Sequence, residues 1–305
     1  MSEEQSVLGN SWTKRSVMLL ESLGWQLKGD TNIDIPCTIH HGRTQPHGID
    51  SFLTYFDPYQ NCLIGVINET KHYAWDNITQ TKVQEWVDNL IETLDCTPYS
   101  DEFAKRLNFD RAKVDTGLLL IWSHDRFDPE KFYSYLKNLK IPRKMKSLRL
   151  YVLSNDQILK LYSISQTIKD ILQDLKDSEK FDVYYPSYPE TNSFKSSNFI
   201  GLEYFTSKFI FGKLIKIEKY PGGSRTKNIT VVFYFDRLDY DCLSYMYLAL
   251  RRFQLTEEEI WIYHYNDPST FRGPIKEFER EYGQNQKTAI KFIHMKQFSN
   301  LPKEV

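Results

Sequence analysis

Apolar and polar residues alternate from Ile49 to Phe56, and a short apolar run follows from Cys62 to Ile67. Asp57-Pro58 separates them, so the pair reads as a β-hairpin of branched and aromatic residues bounded by turn formers. Upstream, Val17, Leu20 and Leu23 recur at helical spacing and predict a helix over 11–24, with Gly24 at its C-cap. Residues 33–40 predict a strand. Downstream, Val83, Val87, Leu90, Ile91 and Leu94 form the apolar stripe of a helix over 78–94. Residues 95–114 carry charge without a period and read as a connection. A buried strand over 117–122, a helix over 129–139, a strand over 147–153 and a helix over 156–175 complete this half.

Residues 179–197 are rich in Tyr, Pro, Ser and charge and read as a linker between a first domain, 1–178, and a second, 198–305. The second half predicts strands over 198–205, 208–218, 229–235, 260–265 and 289–294, with helices over 240–253 and 271–282. Five identities separate the halves by a constant 111 positions: Asp125, Arg126, Asp128, Asn155 and Asp156 against Asp236, Arg237, Asp239, Asn266 and Asp267. This suggests a duplication whose second copy is degenerate and serves substrate or partner binding. Tyr220 stands there where the first copy has Lys71. The expected architecture is α/β: a mixed sheet flanked by helices, then a second α/β domain.

The 305 residues include 20 Tyr, 19 Phe and 6 Trp, enough for two cores, and a net charge of −1 that leaves a nucleic-acid partner open. Cys37, Cys62, Cys96 and Cys242 form no C-x-x-C pair and read as reduced core residues of a cytoplasmic protein. The acidic, polar start is unlike a signal peptide, and no apolar run has the length of a membrane span.

Asp50 opens the first hairpin strand, while Glu69 and Lys71 close the second, two positions apart and so on one face. Antiparallel pairing brings all three to one end of the sheet. Two carboxylates offer hard oxygen ligands to Mg²⁺, and a lysine beside them can hold an attacking water or a phosphate. Gly48-Ile49-Asp50, about twenty residues, then Glu69-Thr70-Lys71 resembles the core of the PD-(D/E)xK, or restriction-endonuclease-like, nuclease superfamily. The resemblance covers roughly the first half of the chain. It implies that Asp50 and Glu69 bind Mg²⁺, with Mn²⁺ as a substitute, and that Lys71 acts in catalysis. It also implies a helix glutamine lining the site, for which Gln84 is the candidate and Gln80 the alternate. The glutamate that relatives often carry on the first helix has no counterpart, since Trp12, Thr13 and Lys14 stand there.

Other polar clusters are read beside this core. His40, His41, Arg43 and His47 crowd the loop before the hairpin. They match no common zinc pattern, so the loop reads as the mouth of a site, where His47 or Arg43 would touch phosphate. Lys137, Lys140, Arg143, Lys144, Lys146 and Arg149 have no acid among them and read as a phosphate-tracking stretch or a solvated face. Lys208, Lys213, Lys216, Lys219, Arg225 and Lys227 interleave with Tyr204, Phe205, Phe209 and Phe211, as in a stacking surface or an ordinary hairpin with a buried face. The expected function is a metal-dependent endonuclease acting on DNA, or RNA, in restriction or antiviral defence. A partner protein would restrain or trigger it, and a homo-oligomer would suit double-strand cutting. The alternative is a catalytically silent subunit of the same fold that binds nucleic acid or protein.

Overall fold

A computed structural model of the chain describes residues 3–39, 41, 44–142, 148–186, 195–197, 199–256, 259–284 and 288–302. Two compact units emerge, Met1–Leu159 with Asn300–Val305, and Lys160–Ser299. Among the described residues no helix is long and apolar enough to cross a membrane.

The first unit opens with helix α1 (Glu3–Ser22), which starts eight positions before the expected Ser11. Gly24 closes it at φ 88°, a conformation glycine adopts without a Cβ penalty. Strands β1 (Gln26–Leu27) and β2 (Ile33–Ile35) follow. β2 is shorter than expected because Pro36 ends it by removing a ladder donor. β3 (His47–Ile49) pairs antiparallel with β2 in a two-stranded sheet, and the chain runs on through Asp50 into β4 (Ser51–Asp57). β4 pairs antiparallel with β5 (Cys62–Tyr73), from Ser51 opposite Asn68 to Asp57 opposite Cys62.

β5 is much longer than its apolar run. Beyond Asn68 it has left β4 but stays extended, because β6 (Thr116–Ser123) runs parallel to it as far as Tyr73 opposite Ser123. Between them lie α2 (Gln80–Cys96) and α3 (Asp101–Leu107); the latter occupies a stretch expected to be irregular. Ser100 and Asn108 cap α3, the first by accepting from Phe103 N and the second in the left-handed conformation. α4 (Pro129–Lys137) and β7 (Arg149–Leu153) follow, β7 pairs parallel with β6, and α5 (Asn155–Gln173) carries the chain past Leu159 into the second unit. The sheet order is β1-β4-β5-β6-β7.

The two faces of this sheet are covered differently. α1 lies over one face, where Trp12 Nε1 donates to Leu120 O at 3.3 Å and Thr13 and Ser16 reach β5. On the other, the α2 stripe of Val83, Trp86, Val87, Leu90, Ile91 and Leu94 packs with Phe52, Ile67, Leu119, Ile121 and, from α4, Phe132. Gly65 lets aromatic rings cross β5: a Cβ there would lie 2.6 Å from Phe52 Cζ and 2.8 Å from Phe109 Cε1. Gly65→Ala is therefore expected to destabilise the protein by about 1–3 kcal/mol, read by urea denaturation, because rings in a packed core cannot both withdraw.

The second unit holds a six-stranded sheet, ordered β13-β12-β11-β10-β8-β9. Its strands are β8 (Lys180–Tyr185), β9 (Lys195–Ser197), β10 (Phe209–Tyr220), β11 (Gly223–Tyr234), β12 (Glu259–His264) and β13 (Ala289–His294). The stretch 179–197, expected as a linker, thus supplies two strands of this sheet. The strand expected over 198–205 is instead a 3-10 turn, Leu202–Tyr204, after Gly201. α6 (Tyr240–Arg252) and α7 (Arg272–Phe278) pack on the sheet around Met246, Tyr247, Leu250 and Phe278. Both sheets join an antiparallel hairpin to parallel strands, so the second unit is organised like the first. One aspartate pair of the 111-residue offset does the same local work: Asp128 caps α4 and Asp239 caps α6.

Candidate active site in the first unit

Asp50 sits where the chain leaves one sheet and enters the other. Because β4 begins only at Ser51, Thr70 of β5 has no β4 residue opposite it. The Asp50 carboxylate takes that place: its Oδ2 accepts from Thr70 N at 2.7 Å and from Thr70 Oγ1 at 2.8 Å. The hydroxyls of Thr13 and Thr70 lie 2.8 Å apart, which ties α1 to the residue that holds Asp50. One turn along α1, Ser16 accepts from Asn68 Nδ2, which also reaches Ser51 Oγ at 2.9 Å. Two buried hydroxyls of α1 thereby fix the strand from behind.

Glu69 and Lys71 project from the opposite face of β5, and Lys71 Nζ donates to Glu69 Oε2 at 2.9 Å. Their side chains keep 13% and 23% of their exposure, so the pair is largely removed from water. Burial first, and the Asp50 carboxylate second, push Glu69 up to about 7 against the pull of Lys71. Burial alone would lower Lys71, but the charges of Glu69 and Asp50 outweigh it and hold the ammonium above its ordinary value. Neutral pH therefore finds a charged lysine beside a carboxylate poised to exchange its proton. Among the described residues, Asp50 Oδ1 and Glu69 Oε1 accept no hydrogen bond. One oxygen of each carboxylate is left, and this donor set fits a hard divalent cation. The three residues expected to meet do meet.

Several other expected residues are placed differently. Gln84 grips the backbone of Lys140, accepting from Lys140 N at 2.8 Å and donating to Lys140 O at 3.1 Å and to Asp88 at 2.8 Å. Gln80 likewise donates to Tyr135 O. These contacts make Gln84 a strut holding the segment after α4. Gln84→Ala is expected to leave any metal-dependent cleavage near the parent rate while costing about 1 kcal/mol of stability, measured on one preparation by cleavage assay and denaturant melt.

Lys140 is exposed, while Arg43, Arg143, Lys144 and Lys146 lie outside the described residues. Arg149 is paired with Asp115 at 2.9 Å. In the second unit, Lys208 pairs with Asp236, Lys227 with Glu218 and Glu259, and Arg225 with Glu218, while Phe205 and Phe211 are buried. That hairpin has a packed aromatic face.

His47, expected to touch phosphate, is buried at 1% exposure and turned into a cluster that the sequence reading did not foresee. One ligand atom each from Cys37, His41, His47 and Cys96 lies within 4.8 Å of all the others, a group able to coordinate a metal ion. The signal was Cys37, only four positions before His41 and ten before His47. Cys96 lies at the far end of α2, and nothing short of the fold brings it in.

The family model described as the GAPS4 protein PD-(D/E)XK nuclease domain matches residues 1–157. The chain belongs to the PD-(D/E)XK nuclease superfamily. The match ends beside the boundary of the first unit, so the PD-(D/E)XK domain comprises the five-stranded sheet, its flanking helices and the Asp50, Glu69 and Lys71 cluster. No curated protein matches the chain.

Proposed function

We propose that the chain is a metal-dependent endonuclease that hydrolyses phosphodiester bonds, with DNA the favoured substrate. The observation carrying this reading is the buried Glu69–Lys71 pair beside Asp50, in a domain whose family is one of nucleases. A buried carboxylate raised to about 7 beside a charged lysine supports a catalytic site over a fold kept only for binding.

Asp50 and Glu69 would hold Mg²⁺, or Mn²⁺ in its place. When bound, the ion activates a water and stabilises charge on the phosphoryl oxygen. Lys71 supplies a fixed positive charge and a donor in a partly dry pocket, where it orients the attacking water and balances charge on the phosphate. Thr70 holds Asp50 Oδ2 through both its amide and its hydroxyl, so the carboxylate is oriented before substrate arrives. The exposed Lys140 would meet the nucleic-acid backbone. A nuclease of open specificity endangers its host, and this supports a role in restriction or antiviral defence under the control of a partner protein.

The test is incubation of the purified chain with plasmid, linear duplex, single-stranded DNA and total RNA, with and without Mg²⁺ or Mn²⁺. Cleavage that requires the metal supports the reading and names the substrate. Absence of cleavage on every substrate, with the metals present and extracts of the native host added, would overturn it.

A further inference from the structure

The Cys37, His41, His47 and Cys96 cluster is distinct in chemistry from the Asp50 and Glu69 pair. Two sulfurs and two imidazoles are soft and borderline donors, which suit zinc and are poor partners for Mg²⁺. The spacing of three of the four atoms fits one tetrahedral ion, and the His47 nitrogen lies within 4.8 Å of each of them. With Zn–S near 2.3 Å and Zn–N near 2.05 Å, a tetrahedron has edges of about 3.8 Å between sulfurs and about 3.5–3.6 Å between sulfur and nitrogen. Cys37 Sγ and Cys96 Sγ lie 3.9 Å apart. His41 Nδ1 lies 3.6 Å from the first and 3.5 Å from the second.

The surroundings are those of a ligand set. The other nitrogen of His41, Nε2, lies 3.2 Å from Asp95 Oδ2. A carboxylate there fixes the tautomer that presents Nδ1 bare to the sulfurs and makes the imidazole a better ligand. His41 N donates to Cys37 Sγ, which stabilises a thiolate at that position. All four coordination positions come from protein, so no vertex is left for water or substrate, as in structural zinc sites.

We propose that Cys37, His41, His47 and Cys96 bind a single structural zinc ion that fastens the β2–β3 connection to the end of α2. His47 opens β3, and Asp50 stands three residues further along the same strand path. The ion therefore secures the base of the segment that delivers Asp50. This inference stands whether or not the chain cuts nucleic acid.

The experiment uses the full chain expressed in zinc-replete medium. Elemental analysis is expected to find one zinc per chain, unchanged in Glu69→Gln, which alters the separate carboxylate pair of Asp50 and Glu69. After chelator treatment, added Co²⁺ is expected to give the visible bands of tetrahedral cobalt and a thiolate charge-transfer band, both bleached by one equivalent of Zn²⁺. Cys37→Ser and Cys96→Ser should lose the charge-transfer band stepwise. Loss of a ligand can unfold the chain, so Asp95→Asn provides a second arm: it keeps all four ligands and should weaken zinc about 10–100-fold in competition with a chromophoric chelator. A protein without zinc and without the cobalt thiolate band, a disulfide between Cys37 and Cys96, zinc lost in Glu69→Gln, or unchanged affinity in Asp95→Asn would each overturn the proposal.

Discussion

Lys71→Ala is expected to lower metal-dependent cleavage by about 10²–10³-fold, the range seen when a preorganised charge or donor is removed from a transition state. Lys71 makes a 2.9 Å bond to Glu69 and keeps under a quarter of its exposure, so solvent cannot substitute for it. Asp50→Asn should cost at least as much, because an amide replaces an anionic ligand while still accepting from Thr70. Both variants are to be compared with wild type at equal protein and saturating Mg²⁺, with circular dichroism confirming the fold. A variant that cuts at the parent rate would remove its residue from the site. The choice of Asn over Ala separates loss of charge from loss of the Thr70 contact.

Glu69→Gln should change stability as well as activity, and with a pH dependence opposite to that of a carboxylate whose pKa an ion pair depresses. Glu69 titrates near 7 in the folded chain against an ordinary 4.5. The folded state thus holds this proton more tightly than the unfolded state, and its contribution to stability is greatest below pH 4.5. It declines as pH rises from 4.5 towards 7 and levels off above that. At about 1.4 kcal/mol per pH unit the decline amounts to about 3 kcal/mol, the charge of Lys71 being already counted in the value of about 7. Without added divalent cation, Glu69→Gln should escape this loss and be the more stable protein at pH 8. Urea midpoints from pH 5 to pH 9 would show it, and parallel curves for the two proteins would contradict it. Mg²⁺ at pH 8 should narrow the gap by restoring the wild type alone, because a cation between the carboxylates does what the proton did.

How much of this was legible in the chain differs from element to element. The Ile49–Phe56 and Cys62–Ile67 runs gave the hairpin, and the spacing of Asp50, Glu69 and Lys71 gave the cluster, because side-chain direction in a strand follows from counting by two. The length of β5 was not legible. Residues 69–73 are polar or mixed, and they stay extended only because β6, more than forty positions later, pairs with them. The same non-locality hid the Cys96 partner of Cys37 and the anchoring of Gln84 on Lys140, both contacts across more than fifty residues. Helix α3 lacked a stripe because only Phe103 and Leu107 need to face the core of so short an element. The 179–197 stretch looked like a linker because its turn-forming composition masked β8, which buries Phe181, Val183 and Tyr185 at alternate positions and turns Tyr184 into the core under α6 and α7.

The Asp50 carboxylate stands in for a backbone acceptor at the point where β4 ends and β5 continues. An acid in that position is under two pressures, one from chemistry and one from the need to close a strand end. A descendant that lost its activity would still be selected to keep the aspartate, while Lys71, among the described residues, bonds the Glu69 side chain and closes no strand end. When related chains are sorted into living and silenced copies, the lysine is therefore the informative letter, and the aspartate says mainly that the strands still part at the same point.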